Sequence, residues 1–247
     1  MLRGMQHKAA DQSEQVMGKW LSWFLVLVAG IGFGSLRSNA ADTGVSAGEN
    51  EIRLRQDSNS QLTSPPPDKS LWAGDVGDGF QRGAHELGLT AGFGLGMAAF
   101  GSSQAHDLAL GTLNYGWMLT GVLGEDHWYR GNVELLGQVF GGEQVNPRRA
   151  WVAEGAALLR YNFATGTPCV PFAQLGAGAG GTDIGGPDLS TTFEFNVQGG
   201  LGVHYFFRRN AALTFQYRLL HLSNARIRSP NLGVNVNMFE AGVSWFF

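Results

Sequence analysis

Charge is what this sequence has least of. Charged side chains make up 15% of its 247 residues, where an ordinary soluble domain carries about 25%. Lys+Arg 17 against Asp+Glu 20 leave a formal net charge of -3, which gives no basic footprint for nucleic acid. Cysteine occurs once, at Cys169, so no intramolecular disulfide is available and stability has to come from the backbone network or the surroundings. That lone thiol is expected to be a small buried or lipid-facing side chain. The low charge does not signal disorder, because 7 Trp and 16 Phe are too many for a chain that buries no apolar surface. The excess is in glycine: 37 residues, about twice the typical ~7% share. Much of it lies inside apolar, alternating segments, where glycine weakens strands.

Long apolar runs are also missing, with one exception. Arg3, Lys8 and Lys19 precede an apolar stretch over 20–36, which small residues follow at Ser38, Ala40 and Ala41. That order of basic, apolar and small-residue regions predicts a secretory signal over 1–41, with cleavage after Ala40 or Ala41. An uncleaved anchor helix is the alternative, since the run is near the lower limit for crossing a bilayer. Removing 1–41 leaves 13 basic against 18 acidic residues, so the exported part is mildly acidic. Residues 42–82 are polar and include Ser64-Pro65-Pro66-Pro67; they read as a disordered linker without a core. Beyond them no run of 18 apolar residues remains, which excludes a further helical span.

From residue 83 onward the pattern has period two. In 192–207, Phe193, Phe195, Val197, Leu201, Val203, Tyr205 and Phe207 share one parity, with Glu194, Asn196, Gln198 and His204 on the other. One face is therefore apolar and the other polar. The same design recurs in 129–140, 151–163, 213–223 and 239–247. Less regular segments at 86–100, 106–119 and 169–180 bring the number of strands to eight. A tilted strand needs about 9–11 residues to cross the hydrocarbon, and eight strands is the smallest outer-membrane barrel.

A soluble sandwich or lipocalin-like barrel would put the apolar face inside. The polar face instead holds Glu134, Gln138, Glu154, Arg160, Glu194, Gln198, Gln216 and Arg218. This set suits pairing in a narrow lumen and is sparse in Lys for a solvated surface. Trp245 and Phe247 fit an interfacial aromatic girdle. The fold expected over 83–247 is thus all-β, an eight-stranded antiparallel up-and-down transmembrane β-barrel in the outer membrane. With both ends of the barrel in the periplasm, the links near Gly124, Thr165 and Arg208 are periplasmic. Those near Ser103, Asn146, Gly185 and Ser229 are extracellular, and 141–149 and 181–190 are expected as long outer loops.

The seventh strand ends in His221-Leu222-Ser223-Asn224-Ala225. Spacing of two places His221 and Ser223 on one strand face, where an imidazole can serve a hydroxyl as general base. By parity that face is the lipid-facing one of Phe215, Tyr217 and Leu219. The bland reading is a pair of headgroup contacts just above the hydrocarbon, and a bare H-x-S motif is weak by itself. The run from His221 to Arg226, the segment from Pro230 to Asn235 and the terminal W-F-F together resemble the outer-membrane lipid A 3-O-deacylases, grouped with acyloxyacyl hydrolase-like proteins. The resemblance extends loosely over 86–247.

That resemblance implies an eight-stranded barrel with a Ser-His-acid triad on its outer wall, hydrolysing the ester-linked acyl chain at the 3-position of lipid A without metal or cofactor. Carried over residue by residue, Ser223 resembles the nucleophile and His221 the base. Asn224, Ala225 and Arg226 resemble the oxyanion-stabilising segment, although Gly often stands in the family where Arg226 stands here. The family's acid falls twelve residues after the serine, at Asn235. Asn accepts a ring N–H but brings no charge, and loss of the acid in a serine triad can reduce the rate about 10⁴-fold. Glu240 has lumen parity and is a poor substitute; Asn235 and Asn237 have outward parity.

Other signals are discounted. Gly176 to Gly181 match G-x-G-x-x-G, but no helix follows, so the segment reads as a glycine-rich strand end. His85, His106, His127 and His204 lack companions at metal-ligand spacing. Glu134, Glu154 and Glu194 are expected to serve lumen salt bridging. Two functions remain: an outer-membrane esterase acting on lipid A or lipopolysaccharide of the outer leaflet, or a non-catalytic structural or partner-binding barrel. A conducting pore is weaker, because an eight-stranded interior is filled by side chains.

Overall fold

The computed structural model describes Trp72 and residues 74–247; the predicted signal over 1–41 and the predicted linker as far as residue 71 lie outside the described residues. A 3-10 helix, Gly74–Phe80, precedes eight strands: β1 His85–Met97, β2 Asp107–Met118, β3 Gly131–Asn146, β4 Ala150–Phe163, β5 Cys169–Thr182, β6 Phe193–Arg208, β7 Ala211–Ser223 and β8 Val234–Phe246. Each strand pairs with the next and β8 closes on β1, antiparallel throughout. The parity read from the sequence is the parity of the wall. In β7, Thr214, Gln216, Arg218, Leu220 and Leu222 are buried inside, while Leu213, Phe215 and Leu219 are exposed outside. Closed pairing leaves no strand edge, and an apolar exterior of this extent calls for lipid around it.

The lumen is filled in three layers. In the middle, Arg160 donates to Glu86 at 2.6 Å and Gln174 at 3.0 Å. Arg218 donates to Gln138 at 2.7 Å, Gln198 at 2.8 Å and Glu240 at 3.1 Å. Each guanidinium also lies over a ring, Phe172 at 4.2 Å and Phe140 at 4.8 Å. Buried charges are tolerated when paired and hydrogen-bonded in this way. Of the three acids singled out in the sequence for lumen salt bridges, Glu134 lies 3.6 Å from Arg160, whereas Glu154 accepts from the Asn196 amide at 2.6 Å and Glu194 from the Thr191 hydroxyl at 2.8 Å. Amides and hydroxyls therefore share with ion pairs the role that salt bridging was expected to fill alone.

An apolar layer closes each end of this polar belt. At the end where the barrel begins and finishes, Trp72, Val76 and Phe80 pack against Met118, Val170, Phe206 and Phe246, with the Trp72 and Phe80 rings stacked at 4.3 Å. The last residues of the stretch expected to be a coreless linker are thus a plug, because three large apolar side chains at suitable spacing find the barrel mouth. At the opposite end, Ile184 and Leu189 from the β5–β6 loop join Leu108, Leu220, Val236 and Met238.

Two strands run five or six residues beyond one end of their sequence pattern. β3 runs on to Asn146, because Gly142 and Gln144 continue its inward parity and pair with Val152 and Ala150. The expected long loop over 141–149 is therefore a three-residue turn, 147–149, and the longest connection, 119–130, lies at the opposite end. The other expected outer loop, 181–190, is present as 183–192. β8 begins at Val234 rather than 239, which brings Asn235 into the sheet opposite His221. The glycine excess also gains a cause beyond curvature. A Cβ on Gly92 would lie 2.6 Å from Glu240 Cγ and 2.8 Å from its Cα, so the inner wall there has no room for any side chain.

Candidate active site

β7 delivers His221 and Ser223 outward at its last two outward positions, with Leu222 between them buried inside. β8 runs alongside in register, with His221 opposite Asn235. The imidazole Nδ1 and Asn235 Oδ1 are 2.7 Å apart. Asn235 is only 5% exposed, and its amide nitrogen donates to the Ala99 carbonyl at 2.8 Å. That second bond settles the ring chemistry. A carbonyl can only accept, so the amide NH₂ must face Ala99 and the amide oxygen must face His221. The ring therefore carries its proton on Nδ1, and Nε2 is left with the basic lone pair. This is the tautomer that a general base for a serine requires.

Ser223 stands on the same outward face, two residues along. Among the described residues its hydroxyl makes no hydrogen bond to His221; such contacts are often long without substrate and close in the reacting complex. Behind the ring, Gly233 has φ +81, and a Cβ there would lie 2.7 Å from His221 Cε1. Only a glycine lets the β7–β8 loop pass this close to the imidazole.

The three residues expected to stabilise an oxyanion fare differently. Asn224 is fully buried, and all its donors are committed: its backbone N–H to Asn231 Oδ1 at 2.9 Å, and its amide to Ser190 Oγ at 3.1 Å and the Arg228 carbonyl at 3.0 Å. It ties the loop together instead of facing the nucleophile. Ala225 and Arg226 have φ 51 and φ 66, and Ile227 N–H closes the turn on the Asn224 carbonyl at 3.0 Å. Two successive left-handed residues without a glycine cost about 1–2 kcal/mol each. Backbone strain of this kind gathers at functional sites. The Ala225 N–H, two residues after Ser223, makes no hydrogen bond among the described residues.

The remaining sequence candidates fall elsewhere. Glu240 points into the lumen, where it accepts from Thr112 at 2.7 Å and Gln216 at 2.6 Å. Asn237 faces outward and accepts from the Tyr217 hydroxyl at 2.6 Å. Gly176 to Gly181 continue β5 as strand, and Cys169 is exposed at the start of the same strand. Among the described residues no cluster of three or more His, Cys, Asp and Glu is placed to hold a metal. Sequence reasoning missed Ala99 and Gly233. The first acts through a backbone carbonyl, which has no side-chain signature. The second carried one usable signal, a glycine just before an amphipathic strand in a loop next to the motif.

The family model described as Lipid A 3-O-deacylase (PagL) matches residues 111–244. No curated protein sequence matches this chain. Among solved structures, the outer membrane enzyme PagL is 18% identical, with 64% of this chain and 97% of that chain covered and a TM-score of 0.47. Neisserial surface protein A (NspA) is 16% identical, with 67% and 100% covered and a TM-score of 0.51. OprG from Pseudomonas aeruginosa is 11% identical, with 68% and 97% covered and a TM-score of 0.39. At such identities the NspA likeness speaks for the fold alone. The family model, by contrast, takes in more than half of the chain, including His221, Ser223 and Asn235, and this chain belongs to the lipid A 3-O-deacylase (PagL) family.

Proposed function

We propose that the chain is an outer-membrane esterase that removes the ester-linked acyl chain at the 3-position of lipid A. Ser223 is its nucleophile, His221 its base and Asn235 the residue that orients the ring. The observation that carries this reading is the 2.7 Å contact between His221 Nδ1 and Asn235 Oδ1, with the amide fixed by Ala99. A neutral, oriented imidazole on a lipid-facing wall, beside a serine, is expensive to keep in an apolar setting and is what acyl transfer needs.

In this mechanism the Ser223 hydroxyl oxygen adds to the ester carbonyl while His221 Nε2 takes its proton. The Ala225 N–H stabilises the resulting oxyanion. The bond from the carbonyl carbon to the sugar 3-oxygen then breaks, and Nε2–H returns the proton to that oxygen. Water attacks the acyl-Ser223 ester, again giving its proton to Nε2, and the free fatty acid leaves with Ser223 regenerated. The substrate enters sideways from the outer leaflet, because the site is on the wall and the lumen is filled. No step calls on a metal or cofactor.

The non-catalytic barrel draws its support from the uncharged Asn235 and the open Ser223–His221 contact. The two readings part in one experiment. Wild type, Ser223→Ala and His221→Ala are reconstituted with lipid A, and the lipid is analysed by mass spectrometry. The esterase reading expects loss of one 3-O-acyl chain with wild type alone. Unchanged lipid A with wild type, or equal deacylation by Ser223→Ala, refutes it.

A further inference from the structure

Two buried ionisable groups at the His221 end of the barrel have no part in the steps above. Asp188 lies in the β5–β6 loop and His106 just before β2; they are 0% and 2% exposed. His106 Nε2 is 2.7 Å from Asp188 Oδ2, and His106 Nδ1 is 2.6 Å from Gln144 Oε1. The Gln144 amide nitrogen donates to the Arg148 carbonyl at 2.8 Å, which turns its oxygen toward the ring. Both ring nitrogens thus face oxygen atoms, and the ring is held between the Asp188 carboxylate and the Gln144 amide oxygen. That carboxylate also accepts the Ser103 N–H at 2.7 Å and the Ser102 hydroxyl at 3.3 Å. The Asp188 main-chain carbonyl accepts the N–H groups of Leu232 at 2.8 Å and Gly233 at 3.1 Å.

These bonds grip the two segments that set the candidate site. The β1–β2 loop, held at Ser102, Ser103 and His106, contributes the Ala99 carbonyl that fixes the Asn235 amide; the Ser102 N–H also closes a turn on that same carbonyl at 3.1 Å. The β7–β8 loop, held at Leu232 and Gly233, contributes the glycine that backs the imidazole. One residue therefore controls both the ring's rear contact and the orientation of its hydrogen-bond acceptor. We infer that Asp188, paired with His106, is a positioning residue for the His221–Asn235 pair, acting through Ala99 and Gly233. This rests on the esterase reading for its kinetic consequence and on geometry alone for its structural one.

The test uses Asp188→Ala and Asp188→Asn in the full chain, refolded with wild type; both keep the main-chain carbonyl that holds Leu232 and Gly233, so they probe the Ala99 arm, through Ser102, Ser103 and His106. A displacement of about 1 Å at a reacting group costs roughly 10²-fold in rate. The expected result for Asp188→Ala is a fall in kcat of about that size, with KM for lipid A within twofold. Asp188→Asn retains the shape and the Ser103 acceptor but loses the charge, and should fall between. Independently of turnover, the His221 Nδ1–H resonance in ¹⁵N-labelled protein should shift or broaden in Asp188→Ala and move less in Asp188→Asn. Should Asp188→Ala not fold, the Asn variant carries the same readouts against wild type. An unchanged Nδ1–H resonance with unchanged kcat in a folded variant overturns the inference, as does a rise in KM with kcat unaltered. If wild type itself is inactive, the esterase reading fails while the resonance still decides the positioning role.

Discussion

Replacing Gly233 by Ala perturbs the candidate site at one known point. The added Cβ would lie 2.7 Å from His221 Cε1 and 3.3 Å from the Leu222 carbonyl oxygen, whereas carbon atoms settle about 3.5–4.0 Å apart. The Leu222 carbonyl is locked in the β7–β8 ladder, so the imidazole has to yield by roughly 1 Å. A shift of that size moves Nε2 out of line with Ser223 and is worth about a 10²-fold loss in rate. The residue also sits at φ +81, where alanine costs about 1–2 kcal/mol, a stability effect that the rest of the barrel absorbs. The assay is kcat for release of the 3-O-acyl chain, followed by mass spectrometry of lipid A, beside urea unfolding of the same preparation. Activity within twofold of wild type in a folded Gly233→Ala protein would refute the argument that the loop fixes the ring.

Further outcomes follow from other contacts. Asn235→Ala removes the acceptor at 2.7 Å and should lower kcat by about 10²- to 10⁴-fold, as loss of an orienting group does in serine triads. Asn235→Asp should also run slower than wild type, because its second carboxylate oxygen would face the Ala99 carbonyl where the amide now donates at 2.8 Å; a faster enzyme would contradict the anchoring role given to Ala99. Glu240→Ala leaves the Arg218 guanidinium buried without its carboxylate at 3.1 Å and should cost about 3–5 kcal/mol in urea unfolding, with the outer-wall site intact. Burial pushes the Asp188 carboxyl up, but the hydrogen bonds from His106 and Ser103 outweigh it and hold it below its ordinary value of 3.8. Stability from Asp188 is therefore fully present above pH 3.8 and is lost as pH falls through the lower folded value. The stability gap between wild type and Asp188→Asn should accordingly shrink on acidification across that window.

The strands were legible because a wall with lipid outside and a packed lumen inside imposes strict alternation on every residue. The three weaker segments were hard to read for a physical reason. Where the inward side of a strand is crowded by the strand paired beside it, as at Gly92 against Glu240 of β8, glycine replaces the polar half of the pattern and the alternation fades. The same effect hid the end of β3 behind Gly142, where a Cβ would lie 3.1 Å from the Leu110 Cα. The plug at Trp72, Val76 and Phe80 was invisible because a short 3-10 segment has no long period, and its polar, proline-containing surroundings dominate the composition. At the site, parity placed His221, Ser223 and Asn235 on one face and turned Glu240 inward. Parity could not show that Asn224 spends its donors on the loop, because that depends on Ser190, Asn231 and the Arg228 carbonyl. Nor could it show Asp188 beneath the site, since its partners come from two connections far apart in sequence, β1–β2 and β7–β8.

The central claim is that Ser223 on the outer wall is the acyl-accepting nucleophile. Its most direct test is peptide mass mapping after exposure of the folded barrel to an alkyl phosphonate ester, with and without competing lipid A. The account predicts a single adduct on Ser223, suppressed by lipid A and absent from His221→Ala. An adduct on another residue, or active protein that remains unlabelled at Ser223, would contradict it.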